Sequence, residues 1–328
     1  MSSPDTDGQA EISLASEPWR YRWPSDGVRV GYRSYSSRRS LLLAIALFFV
    51  TLFTSLIAGA HFAAAYAHNQ SASFDAFVQM FRIAYRHPAA LLAGFPFALT
   101  LLTILLAHEL GHYYACRHHH IRSTYPFFIP GPTLIGTFGA FILIRSPIRS
   151  ARALFDVGAS GPFVGFIVAL PALIYGVLHA KIIPSFTSDS SSDVVFGTPL
   201  ILHLVSAVVH PNANVGDLLL HPVGRAAWVG LFATALNLLP VGQLDGGHIV
   251  RSVSPRAHRI ISLLLPIALV PLAIWQWPGW YFWAALLLGL RFFRAAPIYD
   301  PTPLDPNRRF GAAIALIVFI LCFMPKPL

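Results

Sequence analysis

Long uncharged, mostly apolar runs alternate with short charged stretches, at 40 to 74, 87 to 108, 157 to 180, 194 to 216, 226 to 244, 260 to 290 and 310 to 325. A helix crossing a bilayer needs roughly 17 to 25 such residues. The pattern predicts spans near 42 to 64, 92 to 114, 158 to 180, 224 to 243, 260 to 274, 279 to 291 and 310 to 325. The run at 194 to 216 is weaker, because its apolar part, Thr198 to Val209, is short and ends in Pro211, Asn212 and Asn214. It reads as an interfacial or partly inserted helix. The run at 260 to 290 is too long for one span, and Gln276, Pro278 and Gly279 among Trp275, Trp277 and Trp280 divide it at an aromatic interface belt. Residues 124 to 147 break the helical pattern with Pro126, Pro130, Pro132, Gly131, Gly136 and Gly139, followed by the β-favouring Phe141, Ile142, Leu143 and Ile144. A re-entrant or interfacial loop and hairpin is expected there, a backbone tolerated at depth only where protein covers it or water reaches it. The fold class expected is an all-α polytopic membrane protein with about six to seven transmembrane helices and a small re-entrant or interfacial β element.

Composition agrees. Of 328 residues, 55% are hydrophobic and 11% charged, with a mean hydropathy of +0.60. A soluble enzyme carries about 25% charged residues, so that class is excluded. The net charge of +9 comes almost wholly from arginines that flank apolar runs, which points to membrane topology and away from nucleic acid. With the N-terminus in the cytoplasm, the spans above place 18 basic residues inside and 5 outside, in accord with the positive-inside rule. Merging 260 to 290 into one helix would send Arg291, Arg294, Arg308 and Arg309 outside. Residues 1 to 40 read as a polar cytoplasmic tail and 41 to 328 as the membrane domain. The first apolar segment starts too late for a signal peptide. Cys116 and Cys322 cannot build a disulfide framework and say nothing of the redox compartment.

The chemistry is concentrated in His108-Glu109-Leu110-Gly111-His112, at the inner end of the second span. Histidines four apart project from one helical face and can reach a single zinc, with the intervening Glu able to touch its water. With 14 His and 3 Glu in the chain, roughly 0.005 accidental HExxH matches are expected for a motif with this mechanical content. Glu109 is also the only Glu beyond residue 17 and follows more than 20 uncharged residues, a placement that is costly in a bilayer unless used.

A catalytic zinc keeps three protein ligands and one open position. No Glu follows Glu109, so a downstream Glu ligand is excluded. His118 stands where a third His of an extended motif would fall, yet Ala115 occupies the position of that motif's turning Gly, and His118 opens a His118, His119, His120 tract. Asp156 follows Arg149 and Arg152, so a salt bridge or helix cap competes with a ligand role. Asp245 is the first charge after a 19-residue uncharged run ending the fourth span, on the same side as His108 and His112. Pro240 opens that helix, and Gly246 and Gly247 allow close backbone approach. Gly158, Gly161 and Gly165 read as small-residue spacing for helix packing.

HELGH on one span and Asn237-Leu238-Leu239-Pro240-Val241-Gly242-Gln243-Leu244-Asp245-Gly246-Gly247 on a later one resemble the paired signatures of site-2 proteases, the intramembrane zinc metalloproteases. The stretches Gly136 to Phe141 and Phe155 to Pro162 resemble the EGY-like branch. The resemblance implies a core of about 92 to 250, one Zn2+ held by His108, His112 and Asp245, Glu109 as catalytic acid/base, and Asn237 as a partner of substrate or oxyanion. It further implies β-structure near the site, a transmembrane protein as substrate and the lipid bilayer as surroundings. The function expected is intramembrane endopeptidase activity in regulated proteolysis. The alternative is an inactive zinc-binding scaffold or a transporter, although no inverted repeat is evident. The tail leans toward a bacterial cell membrane, with N-terminus and site facing the cytoplasm.

Overall fold

A computed structural model describes residues 38–148, 150–183, 194–290 and 302–328. The expected tail at 1 to 40 lies outside the described residues except for its last three positions, as do Arg149, Arg291 and Arg294. Four helical stretches are long and apolar enough to cross a membrane. They are α1 (Arg38–Ala67), a 3-10 segment (Pro88–Gly94) running into α3 (Phe95–His118), α4 (Ala151–Leu178) and α8 (Pro255–Trp275). A turn at Gln276 to Pro278 separates α8 from α9 (Gly279–Leu290), so the long apolar run divides at the Gln-Pro-Gly cluster.

Three other predicted spans are shorter helices: α6 (Pro222–Asn237), α9 and α10 (Pro306–Cys322) have 16, 12 and 17 residues. The fourth predicted span was to reach residue 243, but α6 stops at Asn237. Pro240 lacks the N–H that would continue the ladder and disfavours helical backbone at the residue before it. The chain then turns through Gly242, at φ +60°, into a separate short helix, α7 (Asp245–Val253). The stretch expected at the interface forms the ten-residue apolar helix α5 (Leu200–Val209). A helix the pattern did not reveal is α2 (Phe74–Arg86). Ser73 caps it, Phe77 and Met80 are its buried residues, and Asp75, Arg82 and Arg86 are exposed. Those charges broke the apolar run and disguised the helix as a connection.

The proline- and glycine-rich segment forms an antiparallel pair, β1 (Phe127–Pro130) with β2 (Thr137–Phe141), in the register Phe127 to Phe141, Phe128 to Ala140 and Ile129 to Gly139. β1 packs on α1. The connecting turn is pinned there by Thr54 Oγ1, which donates to the Gly136 carbonyl at 2.6 Å. Gly136 has φ +83° and abuts the α1 backbone at Ser55, so no side chain fits. Among the described residues the other edge of β2 has no strand partner. A second pairing, β3 (Lys181–Ile182) with β4 (Leu218–Leu219), was not anticipated.

α4 is the central element, packed on α3, α6, α7 and α10. Its apolar side joins a core with Ala169, Leu173, Leu231 and Val318. Its start is tied to the start of α10 by charge: Arg308 donates from Nε and a terminal nitrogen to the two Asp156 oxygens, at 2.8 and 2.6 Å. His119 Nε2 lies 2.7 Å from the same carboxylate. Arg308 also pairs with Asp305, the α10 cap, and its hydrogen bonds hold that carboxyl below the usual carboxylate range. The capping of α4 falls to Ser150, not Asp156. Asp156→Asn should therefore lower stability by about 1–3 kcal/mol, the scale of a partly buried charge-assisted pair, while leaving metal content intact. Thermal unfolding in detergent with parallel metal analysis checks both; loss of metal would mean that Asp156 serves the centre.

Candidate metal centre

α3 carries His108, Glu109 and His112 at a depth where all three are nearly inaccessible, at 4%, 5% and 7% exposure. The spacing of four on a helix stacks the two imidazoles on one face, with ring centroids 4.9 Å apart and Nε2 atoms separated by 3.1 Å. Asp245, the first residue of α7, brings Oδ2 to 3.2 Å from His108 Nε2 and 3.3 Å from His112 Nε2. It arrives from 137 residues away. It can do so because the turn after Asn237 folds back tightly, with Gly246 seated against the carbonyls of Leu238 and Leu239 where a side chain would collide.

Two imidazoles and a carboxylate are a zinc donor set. A tetrahedral zinc with bonds of about 2.0 Å has its ligand atoms about 3.3 Å apart, and the three observed separations match that edge. The structure also supplies the outer support such a site needs. His112 Nδ1 donates to the Val157 carbonyl at 2.7 Å, which fixes the tautomer and leaves Nε2 with its lone pair directed to the centre. Asn237, the last residue of α6, places Nδ2 3.3 Å from His108 Nε2. The Glu109 carboxylate lies beside the backbone of Ile142, just past the end of β2.

All five predicted residues are therefore within one cluster, and the two rival ligands are not. His118 is exposed at the end of α3, its ring against His119. Asp156 is held by Arg308 and His119. Among the described residues no other group of three His, Cys, Asp or Glu converges as these do. One placement differs from expectation: Asp245 begins a helix of its own and does not end the fourth span.

The sequence reading missed what α4 does for the centre. Gly161 lies against the His112 ring and Gly165 against the His108 ring, so these glycines, read as helix packing, receive the imidazoles of the cluster themselves. Their spacing on one helical face was visible, but the rings they admit were not. The Val157 carbonyl has no side-chain signature at all. His248, one turn beyond Asp245, is a half-buried neighbour whose inaccessible Nδ1 has no hydrogen-bond partner among the described residues. A β-branched side chain at Gly161 would have to displace the His112 imidazole. Gly161→Val should reduce zinc affinity by about 10- to 100-fold, the usual scale for damage to the shell supporting a ligand. Competition against a chromophoric chelator measures this, and unchanged affinity would show that the glycine seat is dispensable.

Comparison with known proteins follows the same residues. The profile of peptidase family M50 matches residues 96–269, which contain every member of the cluster. The chain is 30% identical to "Probable zinc metalloprotease EGY1, chloroplastic" of Arabidopsis thaliana, over 71% of this chain and 43% of that protein. It is 29% identical to "Probable zinc metalloprotease EGY2, chloroplastic" of Oryza sativa subsp. indica, over 70% of this chain and 42% of that protein. With "Probable zinc metalloprotease EGY3, chloroplastic" from the same source, 26% identity extends over 98% of this chain and 51% of that protein. The chain thus spans about half or less of the length of these relatives. No solved structure matches it. With the profile match covering more than half of its length and the whole cluster, the chain belongs to peptidase family M50.

Proposed function

We propose that the chain is a zinc-dependent intramembrane endopeptidase that hydrolyses peptide bonds in or near transmembrane segments of membrane proteins. The observation that carries this reading is the convergence of His108 Nε2, His112 Nε2 and Asp245 Oδ2 at 3.1–3.3 Å beside a buried Glu109. His108, His112 and Asp245 hold one zinc in this reading. When bound, zinc acts as a Lewis acid and lowers the pKa of its water to about 7. Glu109 removes the proton from the attacking water and delivers it to the departing amine, one carboxylate serving as base and then acid. The Asn237 amide, held over the cluster at the end of α6, donates to the oxygen that gains charge as the carbonyl becomes tetrahedral.

A helical substrate hides its carbonyls in its own hydrogen bonds and must be opened before it can react. The edge of β2 without a strand partner among the described residues, with Glu109 beside the outgoing residue Ile142, offers backbone pairing that would hold an unwound segment extended at the centre. The core at about 92 to 250 does the chemistry, and the remaining helices complete a multi-pass membrane domain of six to seven spans. Arginines at the start of α1, the end of α3, the start of α4 and the start of α8 and α10 favour a cytoplasmic centre. The names of the relatives are chloroplastic; the bacterial membrane expected from the tail rests on sequence alone.

A zinc scaffold without turnover would share the ligands but would have no use for a carboxylate buried beside them, which favours the enzyme. Glu109→Gln should keep about one zinc per chain and lose cleavage by about 10²- to 10⁴-fold, the usual range for a general base. The assay is metal analysis with cleavage of a labelled transmembrane peptide destabilised in its helix. Zinc in both proteins with cleavage in neither would favour the scaffold. Gly139→Pro tests substrate pairing, because Gly139 sits in β2 at φ +109°, which proline cannot adopt. It should retain zinc and lose cleavage of a helical substrate, and undiminished cleavage would sink the pairing idea.

A further inference from the structure

A cavity of about 110 Å³ lies at the opposite end of α6 from the metal centre, lined by Ser71, Gly197, Thr198, Gly216, Arg225 and Trp228 among others. Arg225 is on the first turn of α6, twelve residues before Asn237, a rise of about 18 Å at 1.5 Å per residue. The cavity is walled by a strap, residues 194–198, whose backbone is already committed. Val194 N–H donates to the Ala72 carbonyl at 2.8 Å and Gly197 N–H to the Pro327 carbonyl at 2.8 Å. The Gly197 carbonyl in turn accepts from Trp228 Nε1 at 2.7 Å.

Arg225 stands apart from this saturated wall. Its guanidinium carbon lies 3.9 Å from the centre of the Phe196 ring, so one flat side is stacked. Stacking satisfies none of its five N–H donors. Among the described residues no carboxylate pairs with it and no acceptor takes a hydrogen bond from its side chain. A guanidinium in a partly enclosed site without an anion is costly. The same guanidinium-bearing residue lines the cavity. Two hydroxyl residues, Ser71 and Thr198, line the same space, with Thr198 Oγ1 also 2.9 Å from His203 Nε2. A planar guanidinium fork beside hydroxyl groups suits an oxyanion with several oxygens.

We propose that this cavity is a phosphate-class oxyanion site on the membrane edge away from the metal centre, with Arg225 as its anchor. It is independent of the protease reading, since none of its residues belongs to the centre. Two sources share that chemistry, free phosphate and the phosphate of a lipid headgroup. The test uses the purified full chain and follows its thermal midpoint in two arms. In detergent, inorganic phosphate is compared with chloride at equal ionic strength. In bilayers, vesicles containing phosphatidylglycerol are compared with vesicles of an uncharged galactolipid. A rise of about 2–4 °C, the scale expected for a ligand well above its dissociation constant, should appear in at least one arm. It should vanish in Arg225→Met and persist in Arg82→Met, whose arginine is exposed on α2. A rise with phosphate identifies the free ion as sufficient, and a rise only with phosphatidylglycerol identifies the headgroup. Should Arg225→Met not fold, Arg225→Lys keeps the charge without the fork and should retain only part of the rise. No rise for the wild type in either arm, or an equal rise in the Arg225 variants, overturns the proposal.

Discussion

The packing of α3, α4, α6 and α7 is arranged around three side-chain atoms that meet in the interior. Nε2 of His108, Nε2 of His112 and Oδ2 of Asp245 lie within 3.3 Å of one another, a grouping that suits a shared cation. Two of the donors come free with helical periodicity on α3. The third must be delivered to the same depth by a distant part of the chain, and the break at Pro240 is what allows it. Had α6 continued as a straight helix, residue 245 would have been carried two turns further along its axis. The short α6, the reversal through Gly242 and the fresh start of α7 at Asp245 are one solution to one problem.

That solution dictates the character of α4. It is packed against α3, α6 and α7 at once, and it can approach the imidazoles only where it has no side chains. The glycines at 161 and 165 meet the rings, and the Val157 carbonyl meets His112 Nδ1. The bridge from Asp156 to Arg308 and His119 then fixes the start of the same helix to α10 and to the end of α3. Packing and charge thus hold the helix that seats both imidazoles.

Much of this was legible before any coordinates. The HExxH spacing, the isolation of Glu109 in an uncharged run, and Asp245 at the matching depth named the cluster, and the Gln276 to Gly279 signal located the break between α8 and α9. What escaped had a common cause: it depended on partners distant in sequence. Asp156 looked placed to pair with nearby Arg149 or Arg152, but its partner is Arg308, 152 positions on. The charges on α2 hid an amphipathic helix whose buried residues are few. The end of α6 was misplaced because an apolar run continues past Asn237 although the backbone does not.

The bond from His112 to Val157 uses a main-chain oxygen, and position 157 is buried at 1% exposure. Any amino acid that fits there presents the same acceptor. The basicity of His112 is thereby shielded from drift at the position that sets it, and a catalogue of invariant side chains would pass over Val157 entirely. Altering that acceptor demands a change in the path of the α4 backbone, so the orientation of the His112 ring can be inherited or lost only together with the fold.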